Sequence, residues 1–361
     1  MAKIKVAVVF GGKSNEHDVS LVSASHVIRS IPDDKYDVVC IGITKKGRWI
    51  KYIGPVEQIA DGSWERHPDN VACVLSPDPV HKGFLSVSDD GTVQNVKVDC
   101  IFPVLHGRNG EDGRIQGIFE MAEIPYVGCD LLSSAMCMDK DITHTVLEAN
   151  GIKTAKWVRI LESELDEKLE EKCNEMEQKL TYPMFVKPCN CGSSVGISRA
   201  ENREQLVAGI KLAFAHDKKV IVEQGVNGIE CECAVMGNDK PFASTIGEVC
   251  SANADIYDYD AKYNNALSQT IIPARMSETA IEKLRETAVR AYKAMGCQGL
   301  SRVDFFLCEN DEIILNEINT LPGHTPISMY PQLMEHEGMT PQAQEDKLIK
   351  LALERAGVDY E

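Results

Sequence analysis

The sequence predicts a protein of combined α/β and α+β class with more than one domain. Its 361 residues exceed what one hydrophobic core usually supports. The chain opens with an apolar strand, a glycine turn and a helix, which is how an α/β unit begins. Near its other end, two apolar strands flank a short polar turn, which predicts a β-hairpin.

The first elements are apolar runs that end at glycine or polar residues. They are strand Lys5–Phe10, a helix from Val19 to Ile28, strands Val38–Ile43 and Asp99–Leu105, and a helix from about Ile115. Gly11-Gly12 frees backbone N–H groups at a helix start, where an anion can bind. The loop His106–Gly113 holds three glycines, which let the backbone approach a ligand closely.

After Gly128 the pattern changes to helices, so a domain boundary is expected there. The next elements are helices Leu131–Glu148 and Glu164–Leu180, strand Met184–Lys187, a helix through Leu206 and Phe214, and strand Lys219–Glu223. A hinge is expected at Gly225–Gly228, and a later helix from Ser277 to Met295 is stopped by Gly296. The predicted divisions are residues 1–128, 129–226 and 227–361.

The hairpin brings polar residues of strands Gly299–Cys308 and Ile313–Thr320 together. With residues 309–312 as the turn, the pairs are Cys308 with Ile313, Asp304 with Glu317, and Arg302 with Asn319. Opposed carboxylates repel, and a hard cation removes that repulsion. Asp304, Glu317 and Asn319 offer the oxygen ligands that Mg²⁺ takes beside phosphates, and Arg302 suits an oxyanion. The alternative is an ordinary polar sheet face in water.

Composition excludes some partners. A formal net charge of −17 disfavours nucleic acid and anionic membranes. The N-terminal apolar run is too short for a secretory signal, and no stretch approaches a membrane span. The 13 cysteines are scattered and odd in number, which indicates a reducing cytoplasm. Cys189-x-Cys191 and Cys231-x-Cys233 lack zinc spacing and are interpreted as packing or loop residues.

Two lysines and one loop are candidates for phosphate binding. Gly12-Lys13-Ser14 is not a P-loop, because the first glycine of that motif would fall at Ala7. Lys187 ends an apolar strand, and the following loop, Pro188–Gly196, offers N–H and hydroxyl donors. Lys140 lies at a helix. Either lysine alone is most often a solvated side chain.

Three further segments carry groups that could contact a nucleotide or an acid. Glu223 and Glu230 flank the hinge, where they could accept hydrogen bonds from an adenosine; solvated charge is the alternative. Tyr257–Tyr263 contains three tyrosines and a lysine and is either a surface loop or a closing flap. Leu321–Ser328 places the Gly323 N–H and a serine hydroxyl beside the presumed metal face, where they could hold a carboxylate.

Seven motifs, taken in order, resemble the D-alanyl-D-alanine ligase family of the ATP-grasp superfamily over nearly the whole chain. They are Val9–Ser20, Leu105–Gly113, Met138–Lys140, Gly192–Gly196, Tyr257–Tyr263, Ser301–Asp304 and Asn316–Gly323. The resemblance implies a three-domain ATP-grasp fold with an N-terminal Rossmann-like domain. It also implies that ATP phosphorylates one D-alanine and that a second attacks the acyl phosphate, giving a dipeptide for peptidoglycan synthesis.

The resemblance also implies roles for individual residues. ATP phosphates would contact Lys140, Lys187, Ser194 and Lys262; adenosine would contact Glu223, Gln224, Val226 and Glu230; two Mg²⁺ ions, or Mn²⁺ instead, would contact Asp304, Glu317 and Asn319. The substrates would contact Glu16, His106, Glu111, Arg302, Ser328 and Met329, and Arg302 with the Gly323 N–H would stabilise the oxyanion. Glu16, Ser193 and Tyr263 would tie the N-terminal domain to the flap. A cytoplasmic homodimer is expected, since similar enzymes are commonly dimers.

The resemblance leaves the second substrate open. Related resistance enzymes use D-serine or D-lactate, and Cys137–Asp141 resembles the D-serine branch. Met329, where those enzymes often carry Arg, and Tyr263 favour D-alanine in both sites. Two departures from the family pattern, Cys189-Asn-Cys191 and His324, bear on the lid and the second pocket. A dehydrogenase-like or regulatory nucleotide-binding protein is the alternative from another class, disfavoured because Gly-x-Gly-x-x-Gly does not follow the first strand.

Overall fold

The computed structural model describes residues 3–250 and 269–358, without the side chain of residue 310. Its strands form sheets of seven, four and five strands within those ranges. The predicted flap, Tyr257–Tyr263, lies outside them, and so do its residues Lys262 and Tyr263. In the part of the chain that is described, none of the helices combines the length and the apolar character needed to cross a membrane.

The seven-stranded sheet is built from the N-terminal third of the chain. Its strands are β1 (Ile4–Gly11), β2 (Tyr36–Ile43), β3 (Trp49–Tyr52), β4 (Val71–Leu75), β5 (Gly83–Val87), β6 (Val93–Lys97) and β7 (Cys100–Val104), with helices α1 (His17–Ser30), α2 (Glu57–Ala60) and α3 (Arg114–Met121). The order is β6-β5-β4-β3-β2-β1-β7. β1 pairs in parallel with β2 on one side and β7 on the other, so the strand order reverses at β1. Open α/β sheets bind ligands at such a switch point.

The four-stranded sheet follows. Its elements are α4 (Leu131–Met138), α5 (Lys140–Ala149), β8 (Trp157–Leu161), α6 (Leu169–Lys179), β9 (Met184–Pro188), β10 (Ser198–Ala200), α7 (Arg203–Phe214) and β11 (Lys219–Gln224). The order is β10-β9-β11-β8, and each neighbouring pair is antiparallel. Apolar side chains of α6 and α7 pack on this sheet and give it a core of its own.

Two predicted helices have different bounds in the structure. The helix expected over residues 131–148 is broken at Asp139, whose backbone is extended (φ −88°, ψ 102°). The Asp139 carboxylate accepts a hydrogen bond from the Ile142 N–H at 3.2 Å, which caps α5 and makes Lys140 its first residue. The helix expected from Glu164 begins at Leu169, after a short 3-10 turn at Glu162–Glu164.

The five-stranded sheet completes the chain. Its elements are β12 (Ile229–Gly237), β13 (Phe242–Cys250), β14 (Gln269–Ile271), α8 (Glu278–Ala294), β15 (Gly299–Leu307), β16 (Ile313–Asn319), α9 (Met329–His336) and α10 (Pro341–Arg355). The order is β14-β13-β12-β15-β16, all antiparallel. Phe10 of β1 and Leu348 of α10 belong to one apolar cluster, so the first and last sheets share a core.

The predicted hairpin is present, with one correction. Asp304 pairs with Glu317 and Arg302 with Asn319, as predicted. The expected pairing of Cys308 with Ile313 is wrong, because Ile313 pairs with Leu307. The turn is a 3-10 segment closed by a 2.8 Å hydrogen bond from the Cys308 N–H to the Glu312 carbonyl, and a register shift at Asp304/Phe305 restores the predicted pairs farther along.

Candidate active site

One face of the C-terminal sheet carries a row of charged side chains. Asp304 on β15 lies between Glu317 on β16 and Glu232 on β12. Arg302 is two residues before Asp304 and therefore on the same face; its guanidinium donates to the Asp304 carboxylate at 2.7 and 2.8 Å and lies 2.9 Å from Glu232. Although burial lowers it, the charges of Asp304 and Glu232 raise the pKa of Arg302 well above its usual range, which keeps the guanidinium charged.

Glu232 escapes prediction from the sequence. It lies between Cys231 and Cys233, and in the sequence this segment is notable only for the spacing of its two thiols. Both cysteines are fully buried in the apolar core, so strand alternation turns Glu232 to the opposite face, where the charged row lies. That alternation is the signal that could have identified it. With two carboxylates beside it, Arg302 keeps a partner even if Asp304 binds something else.

The three predicted metal ligands lie together on this face. The Asn319 Oδ1 atom is buried and has no hydrogen-bond partner among the described residues. A buried carbonyl oxygen without a donor suits a cation ligand, and Asp304 and Glu317 add carboxylate oxygens of the kind Mg²⁺ prefers. Within residues 3–250 and 269–358, no cluster of three or more His, Cys, Asp and Glu side chains suits a metal. A metal ion on this face would therefore take the amide oxygen of Asn319 as a third ligand beside Asp304 and Glu317.

Glu16 and Ser193, predicted to act together, are in contact. Glu16 directly precedes α1, and Ser193 belongs to the loop after β9. The Ser193 hydroxyl donates to Glu16 Oε1 at 2.5 Å. A Cβ atom at Gly107 would clash with the Glu16 carboxylate where it stands, and the backbone of Gly107 has a positive φ of 70°, which favours glycine. Tyr263, the third member of the predicted trio, is outside the described residues.

His106 and Glu111 hold the loop that follows β7. The Gly107 N–H donates to Glu111 at 2.7 Å, and burial together with the charge of Glu16 raises the pKa of Glu111 well above its usual range. His106 Nδ1 lies 3.0 Å from the Leu321 carbonyl and Nε2 lies 3.1 Å from the Ser23 hydroxyl. Burial lowers the pKa of His106. Since a carbonyl only accepts, Nδ1 carries the hydrogen of a neutral ring that ties α1 to the loop after β16.

Two cavities adjoin at the charged row. The larger, about 550 Å³, lies between the second and third sheets and is lined by residues predicted to contact ATP: Lys140, Lys187, Ser194, Glu223, Gln224, Val226 and Glu230. The smaller, about 80 Å³, is lined by Glu16, His106, Glu111, Arg302, Asn319 and Gly323 among others. Both cavities are lined by Lys140, Cys191, Gly192, Ser193 and Glu317. A ligand in the first cavity can therefore meet a ligand in the second.

The loop after β9 forms the wall between the cavities. Lys140 Nζ donates to the Cys191 carbonyl at 2.9 Å, which fastens the loop to α5. Ser193 and Ser194 have φ of 48° and 56°, in the left-handed region, so the loop is tightly curled. Cys189 is fully buried and Cys191 half-buried at the cavity wall, as expected of packing and loop residues.

Glu223 is buried and already hydrogen-bonded. Lys187 Nζ donates to one of its oxygens at 2.6 Å, and His144 Nε2 lies 3.1 Å from the other. Both oxygens therefore have protein partners before any adenosine is considered. His144 does not appear among the residues predicted from the sequence, because a histidine within a helix carries no local signal of a partner 79 residues away.

The segment Leu321–Ser328 reaches the small cavity only in part. Gly323 lines it, but Ser328 and Met329 line neither this cavity nor the larger one beside it. The Thr325 N–H donates to the Ser328 hydroxyl at 3.1 Å. Met329 is buried below β13, where a Cβ at Gly247 would lie 2.4 Å from its sulfur. His324 is buried between the rings of Phe102 and Tyr330, away from the cavity.

A nucleotide-sized cavity between two antiparallel sheets, with Lys140 and Lys187 from the four-stranded-sheet unit and a carboxylate row from the five-stranded sheet, defines an ATP-dependent ligase of the ATP-grasp fold. Family models agree over most of the chain. The model described as D-ala D-ala ligase N-terminus matches residues 5–129, and D-ala D-ala ligase C-terminus matches residues 146–350. The chain belongs to the D-alanine–D-alanine ligase family.

Individual relatives cover almost the full length. The D-alanine–D-alanine ligase of Ruminiclostridium cellulolyticum is 48% identical over 98% of this chain and 96% of its own. The D-alanine–D-alanine ligase of Clostridium novyi is 46% identical, and the match covers 98% of this chain and 99% of that protein. Among solved structures, the VanG D-Ala:D-Ser ligase from Enterococcus faecalis superposes with a TM-score of 0.89 at 43% identity, covering 97% of this chain and 100% of that one. The structure of the D-alanine–D-alanine ligase from Coxiella burnetii superposes with a TM-score of 0.83 at 33% identity, covering 98% of this chain and 96% of that one.

Proposed function

We propose that this protein joins two D-alanine molecules at the expense of ATP, through an acyl phosphate of the first. The observation that carries the proposal is the shared wall of the two cavities, formed by Lys140, the Cys191–Ser193 loop and Glu317. It would bring the terminal phosphate of a nucleotide in the larger cavity beside a carboxylate in the smaller one. Proximity of this kind replaces a slow bimolecular encounter. The names of the full-length relatives support the same reaction.

In the larger cavity, Lys140, Lys187 and Ser194 would bind phosphates. Gln224, Val226 and Glu230 would contact the adenosine, with Glu223 acting through its hydrogen bonds to Lys187 and His144. Asp304, Glu317 and Asn319 would hold Mg²⁺ or Mn²⁺, which when bound neutralises phosphate charge. Two ions remain the expectation from the resemblance. Lys262 is proposed as a further phosphate contact from the flap.

In the smaller cavity, Glu16 would hold the ammonium of the first substrate, and His106 and Glu111 would keep its loop in place. Arg302 and the Gly323 N–H would stabilise the oxyanion that forms when the second amine attacks, because donors fixed in advance favour developing charge. Ser328 and Met329 are proposed to border the second substrate once the flap, with Tyr263, is in position. Ser193 would join Glu16 and Tyr263.

D-Serine in the second site is the competing candidate. It is favoured by one specific likeness, the 0.89 TM-score and 43% identity to the VanG D-Ala:D-Ser ligase. D-Alanine is favoured by the D-alanine–D-alanine ligases at 48% and 46% identity. We also propose a homodimer in the cytoplasm that supplies the dipeptide for peptidoglycan, with domains divided near residues 128 and 226. The free state of all thirteen cysteines supports a reducing compartment.

A coupled assay of ADP release tests the proposal. Wild-type protein is expected to release ADP with D-alanine alone and to form the dipeptide. Adding D-serine or D-lactate to limiting D-alanine should give little mixed product, and a strong preference for a mixed pair would favour the competing candidate. Glu317→Ala is expected to keep its melting temperature and lose turnover. Absence of ADP release from folded wild-type protein with any D-amino acid would refute the proposal.

A further inference from the structure

His144 lies on α5, one helical turn after Lys140. Its side chain is buried, with 1% of its surface exposed, and its Nε2 atom is 3.1 Å from Glu223 Oε1. Against the effect of burial, the neighbouring Lys187 ammonium keeps the Glu223 carboxyl ionised, as described next, and an ionised carboxylate only accepts. Nε2 therefore carries a hydrogen and donates it to Glu223.

Glu223 holds a buried negative charge that depends on two donors. Its side chain is 5% exposed, and Lys187, which donates to its other oxygen at 2.6 Å, is 14% exposed. Burial alone would raise the pKa of Glu223, but the charges and hydrogen bonds of Lys187 and His144 hold it well below its usual range. A buried charge that loses its partners is costly. If one of the two donors is lost, Glu223 therefore holds the remaining donor more strongly.

The second nitrogen of the His144 ring makes no hydrogen bond to the described residues, and the ring packs on an aromatic side chain. Its Nδ1 atom is buried and has no hydrogen-bond partner within residues 3–250 and 269–358. The ring packs on Trp157, with centroids 5.0 Å apart and planes at 38°. Glu223 is thus the polar contact that the described structure gives this ring. A histidine that served packing alone would leave two polar nitrogens buried without need, and an aromatic ring without them would fit the same place.

We propose that His144 is a positioning residue for ATP: it holds the Glu223 carboxylate, and Glu223 in turn orients Lys187 in the nucleotide cavity. The inference rests on the proposed function, in which Lys187 binds phosphate. When the Lys187 ammonium donates to a triphosphate, Glu223 keeps the His144 hydrogen bond and its charge stays partnered. Without His144, Glu223 has only Lys187, and the carboxylate competes with the phosphates for that ammonium.

The position of His144 on α5 strengthens the argument. Lys140 begins the same helix and fastens the loop after β9 through the Cys191 carbonyl, at 2.9 Å. One short helix therefore contacts the nucleotide cavity at two places, directly through Lys140 and indirectly through His144, Glu223 and Lys187. A shift of α5 changes both lysines together.

Three variants test the proposal. His144→Gln keeps an amide donor close to the position of Nε2, His144→Phe keeps a ring against Trp157 without a donor, and Thr145→Gln changes an exposed neighbour on the same helix as the matched control. His144→Phe is expected to raise the KM for ATP about tenfold, with kcat and the KM for D-alanine within about twofold of wild type. His144→Gln should recover most of the ATP affinity, and the control should match wild type.

A packing role predicts the opposite order, with His144→Phe close to wild type and His144→Gln impaired and less stable. That order would overturn the proposal. Calorimetric titration with ADP, which needs no turnover, gives a second readout. Adding His144→Phe to Glu223→Gln should not weaken ADP binding further, since the carboxylate that transmits the effect is already absent. Failure of the proposed function is distinguishable, because it would show as wild-type protein that releases no ADP with D-alanine.

Discussion

Ser193 donates a hydrogen bond to Glu16 across 177 residues of sequence. The contact joins the residue that precedes α1 to the loop that lies between the two cavities. It is the described part of the predicted trio with Tyr263. A hydrogen bond to a carboxylate is stronger than one between neutral groups, so this bond can hold the loop against the N-terminal sheet.

We expect Ser193→Ala to lower kcat by about 10- to 100-fold, as loss of a hydrogen bond to a charged group implies. Ser193→Gly is the informative partner, because it removes the hydroxyl and also relieves the left-handed backbone at φ 48°. Both variants should lose activity to a similar extent in the ADP-release assay, with little change in melting temperature. Recovery of full activity in the glycine variant alone would show that backbone conformation matters and the hydroxyl does not.

Asn319 gives a prediction in which activity and stability move in opposite directions. Its buried Oδ1 has no hydrogen-bond partner among the described residues, and such an atom costs about 1–3 kcal/mol. Asn319→Ala should therefore leave the metal-free protein as stable as wild type or more so. The same variant should need about tenfold more Mg²⁺ for half-maximal ADP release, because a proposed ligand is gone.

The matched control for Asn319 is Asn95→Ala, which changes an exposed asparagine of the first sheet. It should leave the Mg²⁺ requirement unchanged. An unchanged requirement in Asn319→Ala as well would remove Asn319 from the metal site. Thermal melts without Mg²⁺ measure the stability of the metal-free protein. Melts with Mg²⁺ added give a second measure of ion binding, since a bound ion stabilises the folded state by mass action.

Much of this site could be predicted from the sequence. In one case two pairs were predicted correctly although the turn was wrong by one residue, because a register shift in the strands compensates for it. The count from a four-residue turn gave the pairs Asp304–Glu317 and Arg302–Asn319, although the turn itself closes one residue earlier. A register shift restores the count. Turn geometry and bulges depend on local backbone energies that a single sequence expresses weakly, whereas the functional pairs repeat the alternation of the strand.

Other features could not be predicted, because they depend on contacts distant in sequence. Strands β3, β5 and β6 are short and partly exposed, and their apolar residues do not form the unbroken runs that reveal β1 and β7. Glu232 and His144 matter only through partners on other elements. Met329 follows directly after Ser328 in the chain, but the start of α9 turns it into the core.

Glu345 on α10 predicts a dependence of stability on pH. It is buried, with Oε1 3.5 Å from His324 Nε2, and its Oε2 has no hydrogen-bond partner among the described residues. Burial raises the pKa of Glu345 well above its usual range and lowers the pKa of His324 to about 3, so the proton resides on the carboxyl. Folding then favours the protonated acid, and stability falls as pH rises from about 4.5 toward the raised value.

Glu345→Gln replaces the protonated acid by an amide of the same shape. We expect it to melt at least about 2 °C above wild type at pH 8 and close to wild type at pH 5, because the titration of His324 is common to both proteins. Glu354→Gln, exposed on the same helix, is the control and should show no such pH dependence. An equal gain at both pH values would mean that the carboxyl does not titrate in the folded protein.

Met329→Arg tests whether one substitution can convert the second site to D-lactate. Met329 is 6% exposed and packs in the cluster that includes Leu333, below Gly247 of β13. A guanidinium there would be buried without a partner, which costs several kcal/mol. We expect the variant to melt about 5 °C or more below wild type and to form no depsipeptide with D-lactate. Met329→Leu, nearly equal in volume, should stay within about 1.5 kcal/mol of wild type. A Met329→Arg protein that melts like wild type and accepts D-lactate would show instead that the packing around residue 329 accommodates a charged side chain.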